Sequence, residues 1–404
     1  MGGEGENNET WSIERVVMKN IKNQTSQYKT WVEVNSSALL HNLRVAQKHV
    51  DKDVVIMAIV KSNAYGHGIT EVAKELLALR SFSEGGWFGV DSIEEAFVLK
   101  KAGIKNNILI LGYIPRPRLA DAIQNSFRLV LYDLNVLREC VRLAKKIKKK
   151  VTVHIKVETG TYRQGVMPED ISAFAKVLKK SRECVVVEGI YTHFADTENG
   201  SSTYYKEQLA LFEKNVALFE TLSIAPQYQH VAASAATLLY PKTHYNMVRW
   251  GISLYGLYPS EDVQRLSLNK IKLKPALTWK TRIAQIKIVP KGSTIGYDRA
   301  FKASQAMKIA IIPVGYWDGY DRRLSSKGTV LVHGKKCSVV GNICMNMCMV
   351  DVTRIPNVQA GDEVVLLGRQ GFVEITAEEV AAKMGTINYE VVTRINPLIP
   401  RVII

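Results

Sequence analysis

The chain has 404 residues, which exceeds the usual size of one domain and predicts two. Hydrophobic residues make up 47% and charged residues 23%, as in ordinary soluble globular enzymes. The longest apolar run, Val54–Val60, is far too short to span a bilayer, and the N-terminus carries no secretory signal, so we expect a cytoplasmic protein.

Charge and cysteine usage limit the partners and cofactors that the chain could have. The net charge of +16 fits either a basic, solvated surface or one that binds nucleic acid or an anionic membrane. No nucleic-acid-binding module accompanies the charge, so we favour the solvated surface and expect no nucleic-acid partner. The five cysteines are odd in number and have no Cys-x-x-Cys spacing, which argues against a disulfide framework or a metal site.

Taken in chain order, the sequence begins with a polar tail or linker, residues 1–28, and then alternates strands with helices from 29 to 270. Trp31–Val34 has the alternation of a strand and is placed with this first domain. Eight further strands are predicted at Val54–Val60, Trp87–Val90, Ile108–Leu111, Arg128–Leu131, Val151–Val157, Val185–Tyr191, Tyr228–Val231 and Met247–Arg249. The helical patterns between them are Ile69–Leu79, Ile93–Ala102, Asn135–Lys146, Ile171–Lys179 and Tyr205–Leu222. Eight strand–helix units predict an α/β fold, a closed TIM-like (β/α)8 barrel.

In residues 271–404 the alternation of strands and helices ends, and short strand patterns predict an all-β C-terminal domain. Its expected strands are Thr278–Val289, Lys308–Val314, Thr329–Val332, Ser338–Val340, Met347–Val352 and Glu363–Leu367. Only Ala377–Met384 has a helical pattern.

Catalytic side chains of such barrels lie at the carboxyl ends of the strands. The residues with chemistry at those positions are Lys61, Arg163, His193, Ser234 and Arg249. Lysine, arginine, histidine and serine converging on one mouth suit an anionic ligand. Lys61 has two interpretations that position alone does not separate. It is either a desolvated amine able to form a Schiff base, or a rim lysine whose ammonium reaches water.

The segment Ala58–Gly68, Ala-Ile-Val-Lys-Ser-Asn-Ala-Tyr-Gly-His-Gly, resembles the pyridoxal-phosphate (PLP) attachment signature of the alanine racemase family. Further segments similar to that family follow in order at Tyr191–Ala195, Asn246–Ile252, Ile295–Tyr297, Val314–Tyr320 and Ile387–Glu390. The resemblance covers residue 30 to the C-terminus. It implies a PLP-dependent racemase that interconverts L- and D-alanine and supplies D-amino acid for peptidoglycan.

The resemblance also implies a role for each matched residue. Lys61 would hold PLP and serve as the base for the D-substrate, and Tyr297, reaching in from the second subunit of a homodimer, as the base for the L-substrate. The phosphate would be bound by Tyr65, Ser234, Gly251, Ile252 and Tyr389. Arg249 would face the pyridine nitrogen with His193 beside it, Arg163 and Met345 would contact the substrate, and Lys156 would be the position of a carbamylated lysine. Without the resemblance to the family, each of these residues would be assigned an ordinary structural role.

The substrate channel departs from the family pattern at Asn342 and Asn346, which stand where an arginine and an aspartate are usual; Tyr316 lies in the same channel. Two neutral amides in the channel could favour a substrate that carries a hydroxyl group. An apolar pocket that binds alanine discriminates only weakly against serine, which has one added hydroxyl. The alternative is therefore a serine or serine/alanine racemase of the vancomycin-resistance VanT type. In that case the chain would be the cytoplasmic half of a membrane-anchored protein.

Three other classes of function remain to be compared with a racemase. A PLP-binding homeostasis protein would lack the β domain and Tyr297. A fold-related PLP decarboxylase is disfavoured by the segments around Tyr297 and Arg249. The hypothesis of a nucleic-acid-binding protein is supported by the net charge alone.

Overall fold

A computed structural model describes residues 24–269 and 271–404 of the chain. The described residues divide into two compact units, one within residues 37–275 and one that combines residues 24–36 with 276–404. Of the predicted tail at residues 1–28, only residues 24–28 fall inside the described part; the rest lies outside it. None of the helices in the two described stretches is long and apolar enough to cross a membrane.

The first strand of the chain, β1 (Thr30–Val34), belongs to the second unit. In the described part of the first unit, eight parallel strands form a TIM-like barrel. They are β2 (Val55–Ile59), β3 (Trp87–Val90), β4 (Ile108–Ile110), β5 (Arg128–Leu131), β6 (Val151–Lys156), β7 (Val185–Tyr191), β8 (Tyr228–His230) and β9 (Met247–Trp250). Each strand pairs with the next from β2 to β8, and β9 returns to pair with β2. The backbone N–H of Arg249 donates to the Ala232 carbonyl, just past β8, at 3.0 Å, and this bond joins the last two strands. The predicted barrel is confirmed.

The described helices up to residue 269 surround these strands. They are α1 (Ser36–His49), α2 (Lys61–Tyr65), α3 (Ile69–Leu76), α4 (Arg80–Gly85), α5 (Ile93–Lys101), α6 (Leu119–Gln124), α7 (Leu134–Ile147), α8 (Ile171–Lys180), α9 (Tyr204–Thr221), α10 (Ser234–Leu239) and α11 (Glu261–Ser267). Their starts follow ordinary capping chemistry: Ser92 and Glu95 form a capping box at α5, and Asp133 caps α7. The predicted helix Ile69–Leu79 ends earlier, at Leu76, and α4 follows after a turn.

The second unit is built around a large, mostly antiparallel sheet. Its further strands are β10 (Leu277–Arg282), β11 (Gln285–Val289), β12 (Thr294–Ile295), β13 (Phe301–Lys302), β14 (Met307–Ile312), β15 (Thr329–Val332), β16 (Lys335–Val340), β17 (Cys348–Asp351), β18 (Glu363–Gln370), β19 (Val373–Ile375) and β20 (Arg401–Ile403). Two helices accompany them, α12 (Ala377–Met384) and α13 (Asn388–Thr393). The sheet follows the order β11-β14-β17-β16-β15-β18-β10-β1-β20. A separate C-terminal domain rich in strands is therefore confirmed.

Three details of this unit differ from the sequence analysis. The single strand predicted at Thr278–Val289 is two strands, β10 and β11, that pair with different neighbours. The helix α13 was not predicted, because its six residues are too few to show helical periodicity. Strand β1, placed with the barrel by its position in the chain, instead lies between β10 and β20. Pairing between Thr30 and Thr281 depends on contacts about 250 residues apart, which local pattern does not contain.

Candidate active site

Lys61 lies at the mouth of the barrel, directly after the buried strand β2. Its side chain is 38% exposed, and Nζ is 3.7 Å from Oδ1 of Asp91, which follows β3. The amine is thus close to a carboxylate and still open to a ligand that enters the mouth. Asp91 was not singled out from the sequence; its place one residue after a barrel strand is the signal that could have identified it.

The backbone after Lys61 forms a left-handed turn. Ser62, Asn63, Ala64 and Tyr65 all have positive φ, between 51° and 55°. Each such residue costs on the order of 1–2 kcal/mol, so the turn requires compensating contacts. The Glu95 carboxylate accepts from Ser62 N at 2.6 Å, and Asn63 Oδ1 accepts from Ile69 N at 3.0 Å. The strained turn fixes Lys61 and Tyr65 relative to the strand end.

Tyr65, Ser234 and Gly251 converge on one small cradle at the mouth. Ser234 Oγ accepts hydrogen bonds from the backbone N–H of Gly251 at 3.0 Å and of Ser253 at 3.4 Å. A Cβ placed on Gly251 would lie 3.1 Å from the Tyr65 hydroxyl and 3.6 Å from Ser234 Oγ, so glycine keeps this space open. Burial raises the pKa of Tyr65 to about 12, which keeps its hydroxyl protonated and able to donate.

The remaining members of this cradle lie just after Gly251. Ile252 begins a short 3₁₀ helix, Ile252–Tyr255, and is buried. The Ser253 hydroxyl is buried and has no hydrogen-bond partner among the described residues. Ser253 was missed in the sequence analysis. A cluster of hydroxyls and backbone N–H groups with an unsatisfied hydroxyl is the donor set that a phosphate requires.

Arg249 projects from β9 into the barrel and is 4% exposed. Its two terminal nitrogens lie 2.8–3.2 Å from five acceptors, which are the carbonyls of Thr192, His230 and Val231 and ring nitrogens of His193 and His230. Burial, followed by repulsion from Arg163, lowers its pKa to about 10. The guanidinium therefore remains charged at neutral pH, and no carboxylate in the described part of the chain forms an ion pair with it.

His193 is held as a neutral imidazole. Its Nδ1 is 3.2 Å from Arg249 Nη2, and a guanidinium can only donate, so Nδ1 accepts and the ring proton is on Nε2. Burial, and then the positive charges of Arg249 and Arg163, hold the pKa of His193 well below its usual range. The pair predicted from the sequence is therefore in contact.

Lys156, at the end of β6, is buried beside the exposed loop that carries Arg163. Burial and repulsion by Arg163 and Arg249 lower the pKa of Lys156 to about 8. Its Nζ donates to Gln164 at 3.4 Å. Glu158 orders the start of the loop, because one carboxylate oxygen accepts from three successive backbone N–H groups, those of residues 159–161, at 2.7–2.9 Å.

The other predicted site residues belong to the second unit. Tyr297 is 68% exposed and follows Gly296, whose φ of 78° and ψ of −178° suit glycine alone. Tyr316, Met345 and Asn346 are exposed, and Tyr389 is half-buried on α13. Asn342 donates to the Tyr297 carbonyl at 3.2 Å and to the Asp298 carboxylate at 3.0 Å.

Comparison with known proteins identifies the family. The N-terminal domain model of alanine racemase matches residues 34–259, and the C-terminal domain model matches residues 276–403. The chain belongs to the alanine racemase family. Alanine racemases of Methanococcus maripaludis and Carboxydothermus hydrogenoformans are each 40% identical to it over 92% of this chain and 98% of their own.

Solved structures agree with this assignment. The crystal structure of alanine racemase from Bacillus anthracis with bound L-Ala-P superposes with a TM-score of 0.87 at 35% identity, covering 93% of this chain and 95% of that one. The chain is therefore an isomerase of the amino-acid racemase class.

Proposed function

We propose that this member of the alanine racemase family interconverts L- and D-alanine with PLP bound at Lys61, supplying D-alanine for peptidoglycan. The observation that carries the proposal is the buried, charged Arg249, held in the same barrel mouth as Lys61 by carbonyls and imidazoles. A guanidinium there cannot give up its proton to a pyridine nitrogen, which suits racemisation rather than the side reactions of a protonated ring.

The residues present fit PLP at each of its ends. Tyr65, Ser234, Gly251 and Ile252 supply hydroxyls and backbone N–H groups for the phosphate, and the Ser253 hydroxyl still lacks a partner in the described residues. Arg249 Nε makes no hydrogen bond to a described residue and would be the donor to the cofactor ring. Bound PLP would withdraw electrons from the Cα of an attached amino acid, which makes its proton removable.

The chain's own residues would then move that proton. Lys61 would remove or return it on one face, as the base for the D-substrate. Tyr297 would act on the opposite face, as the base for the L-substrate. We propose that each Tyr297 serves the site of a second copy in a homodimer; its 68% exposure leaves the ring free for that contact.

Arg163 and Lys156 would place the substrate carboxylate. Arg163 is exposed in the loop after β6, and Met345 would offer its backbone N–H to the same group. Since the pKa of Lys156 is lowered to about 8, part of its amine is neutral at neutral pH and open to attack on carbon dioxide. A carbamate on Lys156 would also turn its repulsion of Arg163 into attraction. Incubation with ¹³C-bicarbonate should give a carbamate signal that Lys156→Met abolishes.

A serine racemase of the VanT type is not favoured. The relatives that match nearly the whole chain at 40% identity are named alanine racemases. The amide of Asn342, which suggested a hydroxyl-binding channel, donates instead to the Tyr297 carbonyl and to Asp298. We place the enzyme in the cytoplasm, because all five cysteines are free thiols, as a reducing compartment requires.

The test is the formation of D-alanine and D-serine from the L-enantiomers by purified, PLP-loaded protein. D-Alanine should form well ahead of D-serine, and the protein should be yellow. Lys61→Ala should lose both the chromophore and the racemase activity, whereas Lys291→Ala, a change on a loop lysine of the second unit, should lose neither. A stoichiometrically loaded protein that forms no D-alanine would refute the proposal.

A further inference from the structure

A line of buried polar groups runs from Arg249 through the barrel interior. Arg249 Nη1 lies 3.0 Å from His230 Nδ1, and His230 Nε2 lies 2.9 Å from His154 Nδ1. At the far end, His154 Nε2 lies 3.4 Å from Glu188 Oε2. His154 Nε2 has no hydrogen-bond partner among the described residues, so this last contact is an electrostatic one. The line connects the candidate cofactor site to a carboxylate that no step of the proposed reaction uses.

The chemistry of the two ends fixes the direction of every contact between them. A guanidinium only donates, so His230 Nδ1 must accept and its proton must be on Nε2. His230 then donates to His154 Nδ1, which leaves the His154 proton on Nε2, facing Glu188. An ionised carboxylate only accepts, so the far end requires the same tautomer. Both imidazoles therefore point their N–H groups from Arg249 toward Glu188.

The surrounding residues hold both rings in these orientations. His154 and His230 are each 0% exposed, and His230 stacks on Tyr191 with ring centroids 4.5 Å apart. His154 lies beside Gly189 on the neighbouring strand, where a Cβ would be 2.2 Å from its Nδ1. Glycine at position 189 is thus required for His154 to point inward. The packing of Gly189 against His154 and of Tyr191 against His230 therefore fixes the positions of both rings.

Glu188 is fixed from the other side by Arg128, which donates to both carboxylate oxygens at 3.1 and 3.4 Å. Arg128 and His154 hold the pKa of Glu188 below its usual range, against the effect of burial. Burial in turn lowers the pKa of both His154 and His230, so the rings between the two charges are neutral. Two aligned neutral imidazoles thus present their lone pairs toward the buried charge of Arg249.

We propose that Glu188 is a positioning residue for the active site: acting through His154 and His230, it fixes their tautomers and so holds Arg249 in place to donate to the cofactor ring. The effect on the cofactor rests on the proposed function. The tautomers themselves do not, since they follow from contacts within the protein.

The test compares Glu188→Gln with the wild-type protein. An amide can accept or donate, so this change removes the constraint on direction while it keeps the size of the side chain. Glu188→Asp keeps the charge and should retain the wild-type tautomers. Glu139→Gln is the matched control, because Glu139 is also paired with an arginine, Arg142, on the outer helix α7.

The first readout is ¹⁵N solid-state NMR of histidine-labelled protein without PLP, with signals assigned from His154→Gln and His230→Gln. In the wild-type protein both rings should be protonated at Nε2 alone and should stay so from pH 6 to 9. In Glu188→Gln a signal from protonated Nδ1 should appear. The second readout is PLP affinity, which should fall about tenfold in Glu188→Gln, as expected for the loss of alignment in one charge-assisted hydrogen bond, and should be unchanged in Glu139→Gln.

Each outcome decides the inference. Protonated Nδ1 on either histidine of the wild-type protein would overturn it, even if Glu188→Gln could not be purified as a folded protein. Unchanged tautomers and unchanged PLP affinity in folded Glu188→Gln would do the same. A wild-type protein with the expected tautomers that binds no PLP would instead refute the proposed function and leave the tautomer assignment intact.

Discussion

Asn342 donates its side-chain amide to the carboxylate of Asp298 at 3.0 Å and thereby ties the strand end after β16 to the turn that carries Tyr297. That turn is strained: Asp298 and Arg299 have φ values of 60° and 52°. A second bond from the same amide to the Tyr297 carbonyl, at 3.2 Å, holds the turn at its start. Asn342 therefore organises the candidate base rather than offering an open amide to the substrate.

We expect Asn342→Ala to loosen this turn and to lower kcat for L-alanine by up to about 30-fold, since it removes two hydrogen bonds of about 1 kcal/mol each. The preference for alanine over serine should not change. Steady-state kinetics with both substrates measure this. Asn125→Ala, which also removes two side-chain hydrogen bonds but directly after the barrel helix α6, should leave kcat within about twofold. If Asn342→Ala instead increased the preference for alanine over serine, that result would support the interpretation that Asn342 is a channel residue that favours serine.

Gly251→Ala should weaken PLP binding at least about tenfold without unfolding the protein. The new methyl group would lie 3.1 Å from the Tyr65 hydroxyl and would fill the cradle proposed for the phosphate. Titration of the PLP-free protein, followed by absorbance, measures the Kd. Gly85→Ala is the control, since a Cβ there meets nothing within 4 Å. Equal affinities in the two variants would show that the phosphate binds elsewhere.

The sequence predicted the barrel well because buried parallel strands are continuous apolar runs, as in Val55–Ile59 and Ile108–Ile110. It did not predict the left-handed turn at Ser62–Tyr65. That conformation depends on the distant Glu95 carboxylate rather than on local glycine. Long-range pairing likewise placed β1 in the second sheet.

The candidate site was predicted in part. Lys61, Arg249 and His193 were identifiable by their positions at strand ends, where side chains face the mouth. His154 and Glu188 lie within strands and were passed over. A histidine inside the apolar run Val151–Lys156 is a signal that could have been used, because a buried polar side chain requires a partner.

Tyr297→Phe should leave PLP bound but slow the exchange of the Cα proton of L-alanine far more than that of D-alanine. Loss of one positioned acid–base group lowers such a rate about 10²- to 10⁴-fold. Proton NMR in D₂O measures exchange from each enantiomer separately. Tyr316→Phe, which alters an exposed phenol of the same unit, should preserve the ratio of the two rates. Equal losses for the two enantiomers would contradict the assignment of faces.

Stability should fall as the pH drops below about 6.5. His154, His193, His230 and His244 all have pKa values lowered by burial, so they are neutral in the folded protein and become protonated on unfolding. Below the ordinary histidine pKa the unfolded chain therefore binds more protons, and each such group removes up to about 1.4 kcal/mol of unfolding free energy per pH unit.

Chemical denaturation between pH 7.5 and 5.5 should show this loss, which is absent above pH 7.5 because neither state then binds the proton. His154→Gln should make the dependence shallower by about one proton, since it removes one of the four groups. A free energy of unfolding that is constant from pH 7.5 to 5.5 would mean that the buried histidines take up protons in the folded state. The one-directional hydrogen bonding from Arg249 through His230 to His154 would then have to break in that pH range, since protonated imidazoles cannot accept from the guanidinium.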